Sequence, residues 1–133
     1  MNSGPFCREA GSGPAVVCLH ANASSSSQWR ALMDRLAPRF RVFAPDAYGA
    51  GKSPQWPSDR ELSLHDEAAL LEPVFERVGA PLALVGHSYG AAVALIAALI
   101  GSTALTIAIT ALVFVGVDRL LGGGDAMEAG SRP

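Results

Sequence analysis

The stretch "LVGHSYGAA" at residues 84–92 decides the fold of this chain. It joins a short apolar run, "PLALVG" (81–86), to an alanine- and leucine-rich segment, "YGAAVALIAALIG" (89–101). A short apolar run bounded by proline and glycine is typical of a buried strand, and the longer segment has the composition of a helix. The sequence therefore predicts a sharp turn that connects a buried strand directly to a helix.

Residues 86–90 match the pattern G-x-S-x-G, with Ser88 at its centre. In such a turn the serine adopts a strained backbone conformation, while Gly86 and Gly90 let the neighbouring elements approach closely. The turn lifts the Ser88 hydroxyl above the sheet and places the N–H of Tyr89 at a helix N-terminus, where it can stabilise an oxyanion. The pentapeptide is a weak signal alone, but between a strand and a helix it indicates a nucleophile.

The rest of the chain alternates strand-like and helix-like segments. Continuous apolar runs predict strands at 15–20 and 39–45, and the helical patterns predict helices at 27–37 and 62–79. Pro73 is expected to kink the second of these helices. Strands that are apolar throughout are expected where both faces of a sheet are buried. The pattern predicts an α/β fold, with a parallel sheet covered by helices on both faces.

Two further motifs complete a resemblance to the N-terminal half of the α/β-hydrolase family. "VVCLHANASSSSQW" (16–29) resembles the segment that follows the family's third strand, and "DAYGAGKS" (46–53) fits the family's D-x-x-G-x-G-x-S pattern residue for residue. The resemblance holds best over residues 8–100. We therefore expect a partial, truncated hydrolase core at 1–121 and a flexible tail at 122–133.

The resemblance implies roles for individual residues. Ser88 would be the nucleophile, and the N–H groups of Tyr89 and Asn22 would form the oxyanion hole. His20 matches the family's structural histidine. Ala21 occupies a position where the family usually has glycine, and an alanine is strained at any positive φ. The remaining positions of the structural motifs are Asp46, Gly49, Gly51, Ser53, Gly86 and Gly90.

By resemblance, the expected activity is hydrolysis of a small ester-like substrate, or of a related acyl or carbon–carbon bond, without a metal or organic cofactor. Serine at position 88 argues against the dehalogenase and epoxide hydrolase branches, which resemble this pattern but use aspartate there. The family order is nucleophile, acid, histidine, yet His20, His65 and His87 all precede Ser88. Asp118 is the best placed candidate acid. The competing interpretation is a catalytically inactive fragment.

The letters "GAGKS" at 49–53 raise another hypothesis, a phosphate-binding P-loop. Such a loop requires glycine at position 46, where the carboxylate of Asp46 would repel a phosphate. The loop must also lead into a helix, whereas Pro54 and Pro57 favour an extended segment. A nucleotide binder is therefore the weaker alternative. In the favoured interpretation the glycines shape a turn, Lys52 is simply exposed and Asp46 caps that turn.

The apolar run at 93–117 allows two interpretations. It exceeds the ~20 residues of a membrane-spanning helix. A span would, however, separate the helix after Ser88 from the sheet that it must cover, so a buried helix followed by a strand at 111–118 is favoured. We expect a cytoplasmic protein, with membrane attachment as the alternative. A truncated or frame-shifted C-terminal stretch is a third interpretation of this odd composition.

Charge and cysteine content narrow the class of partners. The chain has 133 residues, with 10 basic and 12 acidic side chains and no basic cluster, which argues against nucleic acid as a partner. Two cysteines, Cys7 and Cys18, are too few for a disulfide scaffold, and Cys18 is expected to be a buried thiol. A partial sheet exposes an edge, through which the chain could associate with itself.

Overall fold

The computed structural model describes residues 4–100 and 107–109 of the chain. The elements in chain order are β1 (Cys7–Ala10), β2 (Ala15–Leu19), a 3₁₀ helix (Ser26–Trp29), α1 (Arg30–Leu36), β3 (Arg41–Pro45), α2 (Leu64–Leu70), α3 (Glu72–Val78), β4 (Leu82–Gly86), α4 (Tyr89–Ile100) and β5 (Ile107–Ile109). The helix predicted at 62–79 is divided into α2 and α3 at Leu71. Pro73, near the start of α3, has no N–H to continue one helix into the other.

The described strands form one sheet in the order β1-β3-β2-β4-β5. Neighbours are parallel except β1, which pairs antiparallel with β3 at the edge. The predicted α/β fold is confirmed, with strands β2, β3 and β4 where the apolar runs indicate them and an antiparallel strand added. In the β2–β4 pair, Leu19 lies opposite Gly86. The loops that follow these two strands therefore leave the sheet side by side.

Helices cover both faces of the sheet, as the continuously apolar strands predict. On one face, α2, α3 and α4 contribute to a cluster around strand residues from β2, β3 and β4: Val17, Leu19, Phe43, Leu82 and Leu84. On the other face, the 3₁₀ helix and α1 supply Trp29 and Met33 to a cluster with strand residues Val16, Cys18, Val42 and Ala44. Cys18 is fully buried, and this burial raises the pKa of its thiol to about 12.

The C-terminal third is described only at β5, which pairs in parallel with β4. Within the apolar run at 93–117, the described positions thus belong to α4 and to a strand of the sheet. In α4, Val93, Ala94 and Ala97 are buried, whereas Leu95, Leu99 and Ile100 are exposed. Across the part of the chain that the structure describes, no helix is both long and apolar enough to cross a bilayer. The strand predicted at 111–118, Asp118 and the tail predicted at 122–133 lie outside the described residues.

Candidate active site

Ser88 lies at the turn between β4 and α4. Its φ is 54°, in the left-handed region that residues other than glycine rarely adopt. The Ser88 carbonyl accepts the N–H groups of Ala91 and Ala92, at 3.0 and 3.3 Å, which begins α4. Ser88 is exposed, and within the described residues the N–H of Tyr89 donates to no acceptor. The turn thus combines a strained, exposed serine with a free N–H at the start of a helix.

Two glycines make this turn sterically feasible. A Cβ at Gly86 would lie 2.5 Å from the Cα of Ala91, at the start of α4. A Cβ at Gly90 would lie 2.6 Å from the carbonyl oxygen of His20, and closer still to the carbonyl oxygen of Leu19. Both contacts are with backbone, which cannot rotate away. Glycine at these positions therefore lets α4 approach the end of β2 and the loop that follows it.

His20, at the start of the loop after β2, connects that loop to the turn after β3. Its Nδ1 lies 2.7 Å from the carbonyl oxygen of Ala21, and the N–H of Ala47 donates to its Nε2 at 3.0 Å. Because a carbonyl oxygen only accepts and an amide N–H only donates, the ring is neutral and carries its proton on Nδ1. The ring is buried, with both nitrogens occupied, so it holds two loops together.

The backbone strain of this loop lies at Ala23 and not at Ala21. Ala23 has a φ of 55°, whereas Ala21, which replaces the expected glycine, is outside the left-handed region. Alanine at position 21 therefore causes no left-handed strain in this loop. Asn22 is exposed, its Oδ1 accepts the N–H of Ala23 at 3.0 Å, and its own N–H has no acceptor among the described residues.

Asp46 organises the turn after β3. Its buried carboxylate accepts the N–H of Lys52 at 2.9 Å and the N–H of Ser26 at 2.6 Å. Ser53 donates its hydroxyl to the Asp46 carbonyl at 2.8 Å. Gly49 and Gly51 have φ values of 70° and 48°, which explains the glycines in this motif.

The same contacts argue against a P-loop at 49–53. The Asp46 carboxylate lies inside the turn, where a Cβ added to Gly51 would lie 2.6 Å from its carboxyl carbon. A phosphate would have to displace this negative charge. Lys52 is exposed, and its Nζ lies 4.9 Å from the centre of the Phe6 ring.

A cavity of about 400 Å³ lies between these loops and is bordered by Asn22, Tyr48, Glu67 and Tyr89, among others. Glu67, on α2, is buried beside it. The Glu67 carboxylate accepts the N–H of Tyr48 at 3.2 Å and the hydroxyl of Tyr89 at 3.3 Å. Burial raises the pKa of Glu67, and these hydrogen bonds only partly offset that effect. Glu67 thus connects α2 to the turn after β3 and to the residue that follows Ser88.

Ser88, Tyr89, Asn22 and His20 follow the carboxyl ends of the paired strands β2 and β4. Among the described residues, no histidine forms a hydrogen bond with the Ser88 hydroxyl. Both ring nitrogens of His20 are occupied. His65 is exposed on α2, and the Nδ1 of His87 lies 2.6 Å from the side-chain amide of Gln28. Asp118, the candidate acid, lies outside the described residues.

Two residues that connect parts of this region, Gln28 and Glu67, are not among the site residues that the sequence motifs indicate. Gln28 contacts both the loop after β2 and the turn at Ser88, and Glu67 contacts the residues on either side of the cavity. The sequence offers one signal for Glu67, because it is an acidic residue on the apolar face of α2. No pattern in the serine-rich segment singles out Gln28.

Comparison with known proteins agrees with the fold described above. The family model described as "alpha/beta hydrolase fold" matches residues 14–129. An uncharacterised protein of Mycobacterium tuberculosis is 37% identical over 93 residues, which cover 66% of this chain and 26% of that protein. A soluble epoxide hydrolase of Corynebacterium sp. is 35% identical over 88 residues, which cover 64% of this chain and 29% of that enzyme.

Among solved structures, an alpha/beta hydrolase from Sphaerobacter thermophilus superposes with a TM-score of 0.67 at 30% sequence identity. The match covers 78% of this chain and 39% of that one. The chain therefore spans between about a quarter and two fifths of the length of these relatives.

Proposed function

Because the chain belongs to the α/β-hydrolase family, we propose that it is the nucleophile-bearing part of a serine hydrolase. In this proposal the Ser88 hydroxyl attacks an ester, or a related acyl or carbon–carbon substrate, and forms an acyl-enzyme. The observation that carries the proposal is the turn at Ser88. Its left-handed φ of 54° exposes the hydroxyl at the start of α4.

The proposed oxyanion hole consists of the N–H groups of Tyr89 and Asn22. Two features support this assignment: neither N–H has an acceptor among the described residues, and both residues border the same cavity. Backbone donors fixed before the reaction begins stabilise the negative charge of a tetrahedral intermediate without reorganising. Removal of one such donor typically lowers kcat by about 10²- to 10³-fold.

The nucleophile distinguishes this proposal from the activity of one relative. The Corynebacterium relative is an epoxide hydrolase, and the branches that act on epoxides and haloalkanes use aspartate at the nucleophile position. This chain has Ser88 there. A serine forms an acyl-enzyme with an ester, so the proposed substrate class is acyl compounds.

A second candidate function is a chain without catalytic turnover. It is favoured by one observation, that His20, the histidine that follows β2, has both ring nitrogens occupied by other groups. A serine without a base is a poor nucleophile.

Labelling with a fluorophosphonate probe decides between the two candidates. The full 133-residue chain is compared with Ser88→Ala, and with Ser58→Ala as a control at an exposed serine between β3 and α2. We expect labelling of the chain and of Ser58→Ala, and no labelling of Ser88→Ala. A chain that is folded by circular dichroism but takes up no probe would refute the proposal and support the inactive alternative.

A further inference from the structure

The side-chain amide of Gln28 connects the two segments that carry the proposed oxyanion donors. The N–H of Ala21 donates to Gln28 Oε1 at 3.0 Å, and Gln28 Nε2 lies 2.6 Å from Nδ1 of His87. Because a backbone N–H can only donate, Oε1 must be the acceptor, which fixes the orientation of the amide. Gln28 Nε2 then donates to His87, whose Nδ1 is the acceptor.

Each end of this bridge is next to a proposed donor along the chain. Ala21 precedes Asn22 directly, and His87 is separated from Tyr89 only by Ser88. The sheet fixes the strands up to this point, where the N–H of His87 donates to the Leu19 carbonyl at 3.0 Å. Beyond it both segments leave the sheet, and among the hydrogen bonds of the described residues the two formed by the Gln28 side chain connect them.

Gln28 itself belongs to a firmly anchored element. It lies in the 3₁₀ helix between Ser26 and Trp29, both of which are buried. The Asp46 carboxylate accepts the N–H of Ser26 at 2.6 Å, and Arg8 donates to the Ser26 hydroxyl at 3.0 Å. A side chain that extends from such a fixed base can hold two loops at a defined separation.

We propose that Gln28 is a positioning residue that sets the separation between the N–H groups of Asn22 and Tyr89. The inference rests on the proposed function, because these groups matter only if they bind an oxyanion. Gln28 touches neither substrate nor Ser88 in this scheme. It acts through the backbone, and so it affects the rate of the covalent step more than the binding of the reactant.

The test measures the kinetics of fluorophosphonate labelling in Gln28→Met, which keeps the size of the side chain and removes both hydrogen bonds. A displacement of about 1 Å in an active site costs on the order of 100-fold in rate. We therefore expect the maximal labelling rate at saturating probe to fall by roughly 10- to 100-fold, while the half-saturating probe concentration is nearly unchanged. Ser27→Ala, an exposed neighbour in the same 3₁₀ helix, is the control and should label normally.

A double-mutant cycle separates positioning from a general loss of packing. If Gln28 acts through His87, the labelling rate of Gln28→Met/His87→Ala should be close to that of the slower single variant. Rates that multiply independently would overturn the proposal. An unchanged labelling rate in Gln28→Met would overturn it as well.

A second readout does not depend on activity. In two-dimensional NMR spectra of the full chain, Gln28→Met should shift the amide resonances of Asn22 and Tyr89 and expose the Ala21 amide to hydrogen exchange. If the wild-type chain takes up no probe, the proposed function fails, but these amides still test the positioning role. Resonances of Asn22 and Tyr89 that do not respond to Gln28→Met would overturn it.

Discussion

Replacement of Gly90 by alanine tests how closely α4 must approach β2. Gly90 lies within α4 outside the left-handed region, so on propensity alone Gly90→Ala should stabilise the helix by about 1 kcal/mol. The added Cβ would, however, lie 2.5 Å from the Leu19 carbonyl carbon and 2.6 Å from the His20 carbonyl oxygen. Both atoms are backbone at the end of a central strand. Overpacking of this kind costs about 1 to 3 kcal/mol, and the rigid neighbours favour the upper end.

The net expectation is a decrease of about 2 kcal/mol in the free energy of unfolding. For a chain of 133 residues, that corresponds to a melting temperature lower by about 8 °C, between the shifts typical of smaller and of larger domains. The assay is thermal and urea denaturation followed by circular dichroism. Gly79→Ala serves as the comparison for backbone strain without a steric clash, because its Cβ meets nothing within 4 Å and its φ of 74° with a ψ of −178° should cost on the order of 1 to 3 kcal/mol.

The two glycine variants should also differ in labelling. If α4 moves away from β2, the Tyr89 N–H moves with it, so Gly90→Ala should take up the fluorophosphonate probe more slowly than wild type. Gly79→Ala, at the end of α3, should label at the wild-type rate. A Gly90→Ala variant that is as stable as the wild type would refute the steric argument, since it would show that α4 can shift at no cost.

Four further substitutions test other parts of the structure. Ala23→Gly should raise the free energy of unfolding by about 0.5 to 1 kcal/mol because it relieves left-handed strain, whereas Ala21→Gly should lower it; equal effects in urea titrations would contradict the assignment of strain. Asp66→Asn should lower the free energy of unfolding at pH 7, because the hydrogen bonds from Arg60 hold the pKa of Asp66 below its usual value and stabilise its charged form. This destabilisation should become smaller as the pH falls below about 4, where the carboxylate becomes protonated in the unfolded chain. A loss of stability that is independent of pH would disprove this. Glu67→Gln should become more stable relative to the wild type as the pH rises from about 4 to 7. Burial raises the pKa of Glu67, so ionisation of this carboxyl opposes folding in the wild type only. Urea titrations at both pH values measure the difference in the free energy of unfolding, and a difference that does not change with pH would contradict the argument.

The elements of the fold could be predicted because their signals are local. Buried strands appear as continuous apolar runs, and breakers such as Pro73 and Gly79 mark where helices stop. The turn at Ser88 could be predicted for the same reason, since the glycines that it requires lie two residues away on either side. Their physical basis, the close approach of backbone at Gly86 and Gly90, is visible only in the structure.

The contacts between loops could not be predicted, because they depend on distances between residues far apart in the chain. Gln28 and His87 are 59 positions apart, and Tyr89 and Glu67 are 22 apart. The position of the backbone strain in the loop after β2 could not be predicted either. The resemblance to the family directs attention to Ala21, where the family usually has glycine, whereas the left-handed residue is Ala23. A glycine that a family conserves marks a position where related chains can adopt a positive φ. It does not show which residue adopts one in this chain.

The described contacts serve one part of the proposed acyl-transfer reaction and leave another open. Gln28, His20 and Glu67 each connect loops around the N–H groups of Asn22 and Tyr89, which would stabilise negative charge. Among the described residues, none of these side chains forms a hydrogen bond with the Ser88 hydroxyl. In serine hydrolases the oxyanion hole and substrate binding together retain about 10³- to 10⁴-fold catalysis over water when a member of the triad is removed. The proposal therefore requires slow but specific reaction of Ser88 with a strongly activated electrophile, even without a base from the described residues. This is why a fluorophosphonate, and not an ordinary ester, is the appropriate first reagent.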